Sequence, residues 1–191
     1  MAKIVGFTGG AGVGKDTAAN WLLTYHKTQF RSLAFADPIR AAMKAVFGWD
    51  DSHFTQENKN TVDERYGVSP RKAMQTLGTE WGRNLINTDL WLIKAGEKAF
   101  PLIDSGFDTL ITDTRFENEA SWIRKNGGII VHIDRDVAKL AGEDGKHASE
   151  AGIKFVKGDI RINNNEVMSF LQDQLEVLAG VLRQESETVA A

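Results

Sequence analysis

Between the apolar run Lys3-Ile4-Val5-Gly6-Phe7-Thr8 and the helical pattern of residues 17–23 stands Gly9-Gly10-Ala11-Gly12-Val13-Gly14-Lys15-Asp16-Thr17. Gly9, the four residues after it, Gly14 and Lys15 reproduce the phosphate-binding loop G-x-x-x-x-G-K in its meaningful setting, a strand before and a helix after. Glycines here let backbone N–H groups turn inward around a polyphosphate, and the helix N-terminus adds free N–H groups and partial positive charge. Lys15 would reach the β- and γ-phosphates of a nucleoside triphosphate, with Gly9, Gly10, Ala11, Gly12, Val13, Gly14, Asp16 and Thr17 around them. The usual loop places Ser or Thr after the lysine to hold magnesium. Here Asp16 takes that position and the hydroxyl comes one residue later, at Thr17. A chance glycine-rich turn is the alternative, and the flanking strand and helix weigh against it. The loop specifies a nucleotide and leaves the reaction open.

A chain of 191 residues is expected to form one domain, removing about 70% of its unfolded surface from water. Its 42% hydrophobic and 26% charged residues are ordinary for a globular protein. A formal charge of -3 argues against a nucleic-acid or membrane surface, since such binders carry a basic face. With no cysteine, disulfides, thiolate nucleophiles and cysteine zinc sites are excluded. Met1-Ala2-Lys3 runs into a strand without a signal-peptide apolar region, and no apolar run reaches the ~20 residues of a membrane span. The expectation is a cytoplasmic protein.

Strand and helix signals alternate, which predicts an α/β fold of three layers: a central parallel sheet of about five strands with helices on both faces. Residues 30–36 read as the second strand. Pro38 opens a helix with Ile39, Ala42, Met43 and Val46 on one face. Residues 48–66 are polar and poorly periodic, as expected of a loop or irregular helix at the mouth of a site. Ser69 and Pro70 look like an N-cap and first helical residue, and the helix over 71–85 carries Met74, Leu77, Trp81 and Leu85 at helical spacing. A strand over 109–112 ends in Asp113, and a helix follows over 117–125. Strands over 129–133 and 160–162 complete the sheet. The last helix, from Glu166 to about Leu182, is expected to bury Val167, Phe170, Leu171, Leu175 and Leu178, with a frayed end beyond Gln184. Residues 134–152 are rich in charge and glycine and read as a lid.

A carboxylate at the end of an apolar strand completes many phosphate-loop sites. Asp113 would hold magnesium directly or through water, orient a substrate group, or cap the helix that follows. Asp37, past the second strand, meets the same alternatives. Arg71, Gln75, Thr79 and Arg83 recur every four residues and share one stripe of a helix. Such a stripe is either a solvated face or a substrate wall. The wall is chemically apt, because arginine grips phosphate through two parallel hydrogen bonds and glutamine can read a base edge. The histidines are scattered, and no His or Ser dyad stands out as a catalytic pair.

Together, residues 9–17, Phe35-Ala36-Asp37-Pro38-Ile39-Arg40, Gln75-Thr76-Leu77-Gly78-Thr79-Glu80-Trp81-Gly82-Arg83, Asp89-Leu90-Trp91, Thr112-Asp113-Thr114-Arg115-Phe116-Glu117-Asn118-Glu119 and His147-Ala148-Ser149-Glu150 resemble the tailed-phage deoxynucleoside monophosphate kinase family. The matches follow the family's order over most of the chain. The resemblance implies a phosphate-loop kinase fold in a single domain, residues 1–191, with an acceptor-binding helical region at about 36–107 and a lid at about 134–152. It implies transfer of the γ-phosphoryl group of ATP, with Mg2+, to a deoxynucleoside 5′-monophosphate. Carried over by position, residues 9–17 bind ATP with Lys15 on the transferring phosphate, and Asn163 belongs to a stretch that covers adenine. Arg40, Arg71 and Arg83 are candidates for the acceptor phosphate, with Asp37 beside them, and Gln75, Thr79 and Glu80 for the sugar and base. Asp113, Arg115 and Glu119 line the acceptor side, and Thr17 and Asp113 hold Mg2+. Arg135 opens the lid and neutralises charge on the moving phosphoryl.

The family's partners are small-molecule nucleotides; its members commonly pair, which leaves a homodimer open. A phage-borne chain would work in the host cytoplasm. Arg40 stands where lysine is commoner, and the lid is poor in arginine, with Arg135, Lys139 and Lys146 as its cations before His147. Two other readings remain: another small-metabolite kinase of the same fold, such as one acting on dephospho-coenzyme A, and a nucleotide-binding regulatory module without a second substrate.

Overall fold

Five short apolar runs pair into one parallel sheet. The computed structural model describes residues 2–136 and 152–188, with side chains as far as Gln184. Strands β1 (Ile4–Thr8), β2 (Phe30–Leu33), β3 (Asp108–Ile111), β4 (Ile129–Asp134) and β5 (Ile160–Asn163) lie in the order β2-β3-β1-β4-β5. Every pairing is parallel. Helical crossovers cover both faces of such a sheet, so its inner strands are apolar throughout rather than alternating. Accordingly Ile4, Val5 and Phe7 of β1, Leu110 and Ile111 of β3, and Ile130 and Val131 of β4 are all fully buried. From β1 the chain first moves to one edge and returns through β3, then builds β4 and β5 on the other side. The loop after β1 therefore opens where the strand order reverses, the place at which open parallel sheets take their ligands.

The chain divides into two compact units, Met1–Ala34 with Gly96–Ala191, and Phe35–Ala95. The first holds the sheet. On one face α1 (Lys15–Tyr25) and α6 (Met168–Thr188) pack Ala18, Ala19, Leu22, Leu171, Leu175 and Leu178 against Val5, Phe7, Val131 and Ile133. Gly6 points the other way, toward Ile123 of α5 (Glu117–Lys125). Leu171, Leu175 and Leu178 of α6 are buried as expected, but Val167 and Phe170 are exposed. Val167 precedes the first helical turn, and Phe170 lies about 100° around the helix from Leu171. The helix also continues to Thr188, past the frayed end expected from Gln184. Fully buried Leu182 anchors that last stretch.

The second unit contains α2 (Asp37–Phe47), a 3-10 turn (Asp51–Phe54), α3 (Pro70–Gln75), a π-helix (Thr76–Ile86) and the start of α4 (Leu90–Asp104). No sequence signal had marked α4. In α2, Ile39 and Met43 are buried while Val46 is exposed, because Phe47 and Trp49 fill that end of the cluster instead. Residues 48–66 are more than a loop. Trp49 is buried, stacks on Phe47 with ring centroids 4.3 Å apart, and donates its indole N–H to Asp63 Oδ2 at 2.8 Å. One tryptophan can anchor such a segment with no periodic pattern around it. Ser69 caps α3, its Oγ accepting from the Lys72 N–H at 3.3 Å. The expected face of Met74, Leu77, Trp81 and Leu85 does not form the core: Trp81 and Leu85 are exposed, and Ala73, Gly78 and Gly82 are buried. The helix rewinds after Gln75, so a 3.6-residue period no longer describes it. Among the described residues no helix is long and apolar enough to cross a membrane.

Candidate active site

Between Thr8 and Lys15 the chain wraps with φ of 141° at Gly9, 77° at Gly12 and 102° at Gly14. Two of these glycines are also required by space. A Cβ at Gly9 would lie 2.5 Å from the Ile133 carbonyl oxygen on β4, and one at Gly14 would collide with Asn164 Nδ2. Val13 anchors the loop in the core with Phe7 and Ile133. The first bond of α1 runs from the Ala18 N–H to the Gly14 carbonyl at 2.9 Å. Preceding N–H groups in that turn have no carbonyl within the helix to meet, and the helix dipole adds positive potential there. Lys15 Nζ donates to the carbonyls of Gly9 at 2.8 Å and Gly10 at 2.7 Å, so its ammonium lies across the loop. Asp16 and Thr17 are exposed in the same turn. These are the features a triphosphate requires: inward-turned backbone, a helix N-terminus and a mobile cation.

The loop's shape depends on a residue that motif reading passed over. Asn164 is buried, and its Nδ2 donates to the Val13 carbonyl at 2.8 Å across 151 residues of sequence. Its own N–H donates to the Asp134 carbonyl at 2.8 Å. In Asn163, the residue expected near adenine, Oδ1 accepts from the N–H and Nδ2 of Asn165, and the backbone N–H donates to Gln174 Oε1 at 3.0 Å. Asn165 Oδ1 in turn accepts from the Asp136 N–H at 2.6 Å. The run of three asparagines after β5 was the available signal, though nothing local distinguishes its middle member.

Past β3 a tight turn carries Asp113 and Arg115. Glu119, only 2% exposed, shapes it: Oε2 accepts from the N–H groups of Arg115 at 2.7 Å and Phe116 at 3.0 Å. This is the glutamate half of a capping box at the start of α5. Arg135 is exposed directly after the last residue of β4. The lid expected over 134–152, with Lys139, Lys146 and His147, lies outside the described residues apart from its first three positions and Gly152.

Residues 152–159 are pinned to the sheet by one carboxylate. Asp159 accepts from Arg124 Nε at 3.0 Å and Nη2 at 2.8 Å, from His132 Nε2 at 3.0 Å and from the Val156 N–H at 3.0 Å. Burial pushes its carboxyl up, but hydrogen bonds from Arg124, Val156 and His132 outweigh that and hold it below the usual carboxylate range. His132 is thus a satisfied strand residue, with the ring of Phe155 tilted over it at 5.1 Å.

The remaining predicted residues belong to the second unit. Asp37 and Arg40 pair at the start of α2, Oδ1 to Nη1 at 3.2 Å. Gln75, Thr79 and Arg83 are half-buried, as is Arg71 at the start of α3, and exposed Glu80 pairs with Lys72 at 3.1 Å.

The family model for deoxynucleotide monophosphate kinase matches residues 49–175, more than half of the chain. A protein of Acanthamoeba polyphaga mimivirus, named by inference as a deoxynucleotide monophosphate kinase, is 32% identical over 185 residues, covering 90% of this chain and 93% of its own length. The deoxynucleoside-5'-monophosphate kinase of Escherichia phage T5 is 25% identical across 94% of this chain and 100% of its own. Among solved structures, Mycobacterium tuberculosis APS kinase in complex with AMPPNP and APS shares the fold, with a TM-score of 0.54, 15% identity and coverage of 95% of this chain and 98% of its own. The mimivirus match extends beyond the family model to nine-tenths of the chain, and on both grounds the chain belongs to the deoxynucleotide monophosphate kinase family.

Proposed function

We propose that this protein transfers the γ-phosphoryl group of ATP to a deoxynucleoside 5′-monophosphate, giving ADP and the deoxynucleoside diphosphate. The loop carries the reading: left-handed glycines, a helix N-terminus and Lys15 lying across them, in a chain of this family. A phosphate oxygen of the monophosphate attacks the γ-phosphorus. The bond from that phosphorus to the bridging oxygen breaks, and ADP leaves. The attacking oxygen is already ionised at neutral pH, so no general base is needed. What the protein must supply is alignment and positive charge.

Residues 9–17 hold the triphosphate, and Lys15 exchanges its loop carbonyls for the β- and γ-phosphates. Oxygen donors suit Mg2+, which takes one or two protein ligands and completes its shell with phosphates and water. Thr17 and Asp113 would hold the ion, which would supply positive charge to the phosphates. Arg40, Arg71 and Arg83 bind the acceptor phosphate, with Arg115 on the acceptor side. Gln75 and Thr79 meet the sugar and base. Glu119 serves indirectly, by setting the turn of Asp113 and Arg115, and Arg135 meets charge on the moving phosphoryl. A kinase of this kind would act in the cytoplasm that supplies DNA precursors.

The test is ADP release with ATP, Mg2+ and each deoxynucleoside monophosphate, run beside dephospho-coenzyme A. Release with a deoxynucleotide is expected. Release with dephospho-coenzyme A alone would overturn the substrate, and tight ATP binding without acceptor-dependent release would make the protein a regulatory module.

A further inference from the structure

Residues 70–86 form one helical segment that changes its winding partway. α3 starts as an ordinary helix on its Ser69 cap, but from Thr76 to Ile86 the chain is π-helical. At its end the Asn87 N–H reaches back five residues to the Gly82 carbonyl at 2.9 Å. Such winding is rare, is mostly confined to single turns, and concentrates at functional sites. A run of 11 residues therefore needs a local cause.

Trp91 and two glycines supply one. Trp91, near the start of α4, is buried, and its indole N–H donates to the Gly78 carbonyl at 2.7 Å. The same ring fills the place where a side chain at Gly82 would go: a Cβ there would lie 2.5 Å from Trp91 Cζ2 and 2.9 Å from Cε2. Gly78 stands equally close to α2, where a Cβ would be 2.9 Å from Ile39 Cδ1. The wide helix is thus packed backbone-first, against Ile39 on one turn and Trp91 on the next. Its buried line, Ala73, Gly78 and Gly82, advances by five residues and then four.

That winding changes where the polar stripe points. In an α-helix each step of four residues overshoots a full turn by about 40°, so a stripe over residues 71–83 would wind steadily off its face. With bonds reaching five residues, a step of four falls short of a full turn and the drift reverses. Gln75, Thr79 and Arg83 are all half-buried, and the winding decides which way Thr79 and Arg83 turn relative to Gln75.

We propose that Trp91 is a positioning residue, which with Gly78 and Gly82 holds the π winding that sets the directions of Gln75, Thr79 and Arg83 toward the acceptor nucleotide. This rests on the kinase reading above. Trp91→Phe keeps most of the ring and removes the N–H. The expected result is a monophosphate KM raised about tenfold, the scale of one lost buried hydrogen bond, with the ATP KM within twofold of wild type. Gly82→Ala, which drives a methyl group into the indole, shifts the same constant further. In the unmutated enzyme the Trp91 indole N–H resonance is expected to move when a deoxynucleoside monophosphate is added to saturation. Wild type that releases no ADP with any deoxynucleotide defeats the kinase reading itself. Wild type that turns over, beside a folded Trp91→Phe enzyme with an unchanged monophosphate KM or equal rises in both constants, overturns this proposal alone. So does an indole resonance that stays fixed at saturation, whether or not the variants fold.

Discussion

Replacing Asn164 with alanine separates a loop that is merely supported from one that is held in its binding shape. The deleted interaction is one hydrogen bond of 2.8 Å to the Val13 carbonyl, buried at both ends. Stranding a buried acceptor costs about 1–3 kcal/mol, equivalent to about a 5- to 150-fold change in an equilibrium constant. That cost divides between two observables. If the loop keeps its shape in the variant, the whole penalty appears as lost stability, a fall in Tm of about 2–4 °C for each kcal/mol in a chain of this size. If the loop relaxes, part of the stability returns, and ATP must then re-order the loop on binding. With glycine at three left-handed positions the free loop has room to relax, so the second share should dominate. Titration calorimetry with a non-hydrolysable ATP analogue should show Kd raised about tenfold, with the monophosphate KM within twofold. Asn164→Asp should be worse, since a carboxylate would face both the Val13 carbonyl and the incoming phosphates. An alanine variant that binds the analogue as wild type does, while losing the full increment of Tm, would refute this division and leave Asn164 a purely structural residue.

Lys15→Ala should lower kcat a thousandfold or more, about 4 kcal/mol of transition-state stabilisation, with Tm changed little because the Gly9 and Gly10 carbonyls that Lys15 meets lie in the half-exposed loop and not in the core. Retained turnover would remove the loop from the mechanism. Asp159→Asn should cost about 1–3 kcal/mol at neutral pH by weakening the charge-assisted hydrogen bonds that half-buried Arg124 makes to this buried carboxylate, seen as a fall in Tm of about 2–4 °C for each kcal/mol. The Asp159 carboxyl sits below its ordinary value in the folded protein, so its contribution is present above about pH 4 and is lost as pH falls through the folded pKa. The Tm gap between variant and wild type should therefore narrow in acid, and a gap that is constant from pH 7 to pH 3 would contradict the assignment.

The parallel sheet and the loop could be read from sequence because both are dictated locally. Strands buried on two faces must be apolar throughout, as Ile4, Val5 and Phe7 are. A backbone cradle needs glycine wherever φ is positive or a neighbour leaves no room for a Cβ, which fixes Gly9 and Gly14 in place. Asn164 obeys no such local rule. Its partner is 151 residues away, and an asparagine beside two others carries no mark of which one reaches across. Trp49 hid for a related reason: one large aromatic ring organises residues 48–66, and periodicity cannot register a single anchor. Glu119 did carry a local mark, its place three residues past the helix cap, although the same residue also fits the acceptor motif.

The helix over residues 70–86 was misread for a deeper reason. Hydrophobic periodicity assigns a face by assuming a winding, and on 3.6 residues per turn Met74, Leu77, Trp81 and Leu85 form the natural core. Here the winding is itself a tertiary product. Trp91 gives the Gly78 carbonyl a donor and occupies the space beside Gly82, so Gly78 and Gly82 pack backbone-first, Met74 and Leu77 stay half-buried against Met43, Trp49 and Ala73, and Trp81 and Leu85 are displaced outward. The polar spacing is compatible with both windings, because steps of four residues lie close to one turn in either and differ only in the sign of their drift. Polar spacing was thus insensitive to the winding, whereas the apolar face depended on it entirely. What the stripe could not reveal is that the direction in which it faces depends on an indole outside the helix, and substitutions at Trp91 or Gly82 should therefore weaken acceptor binding though neither side chain belongs to the stripe.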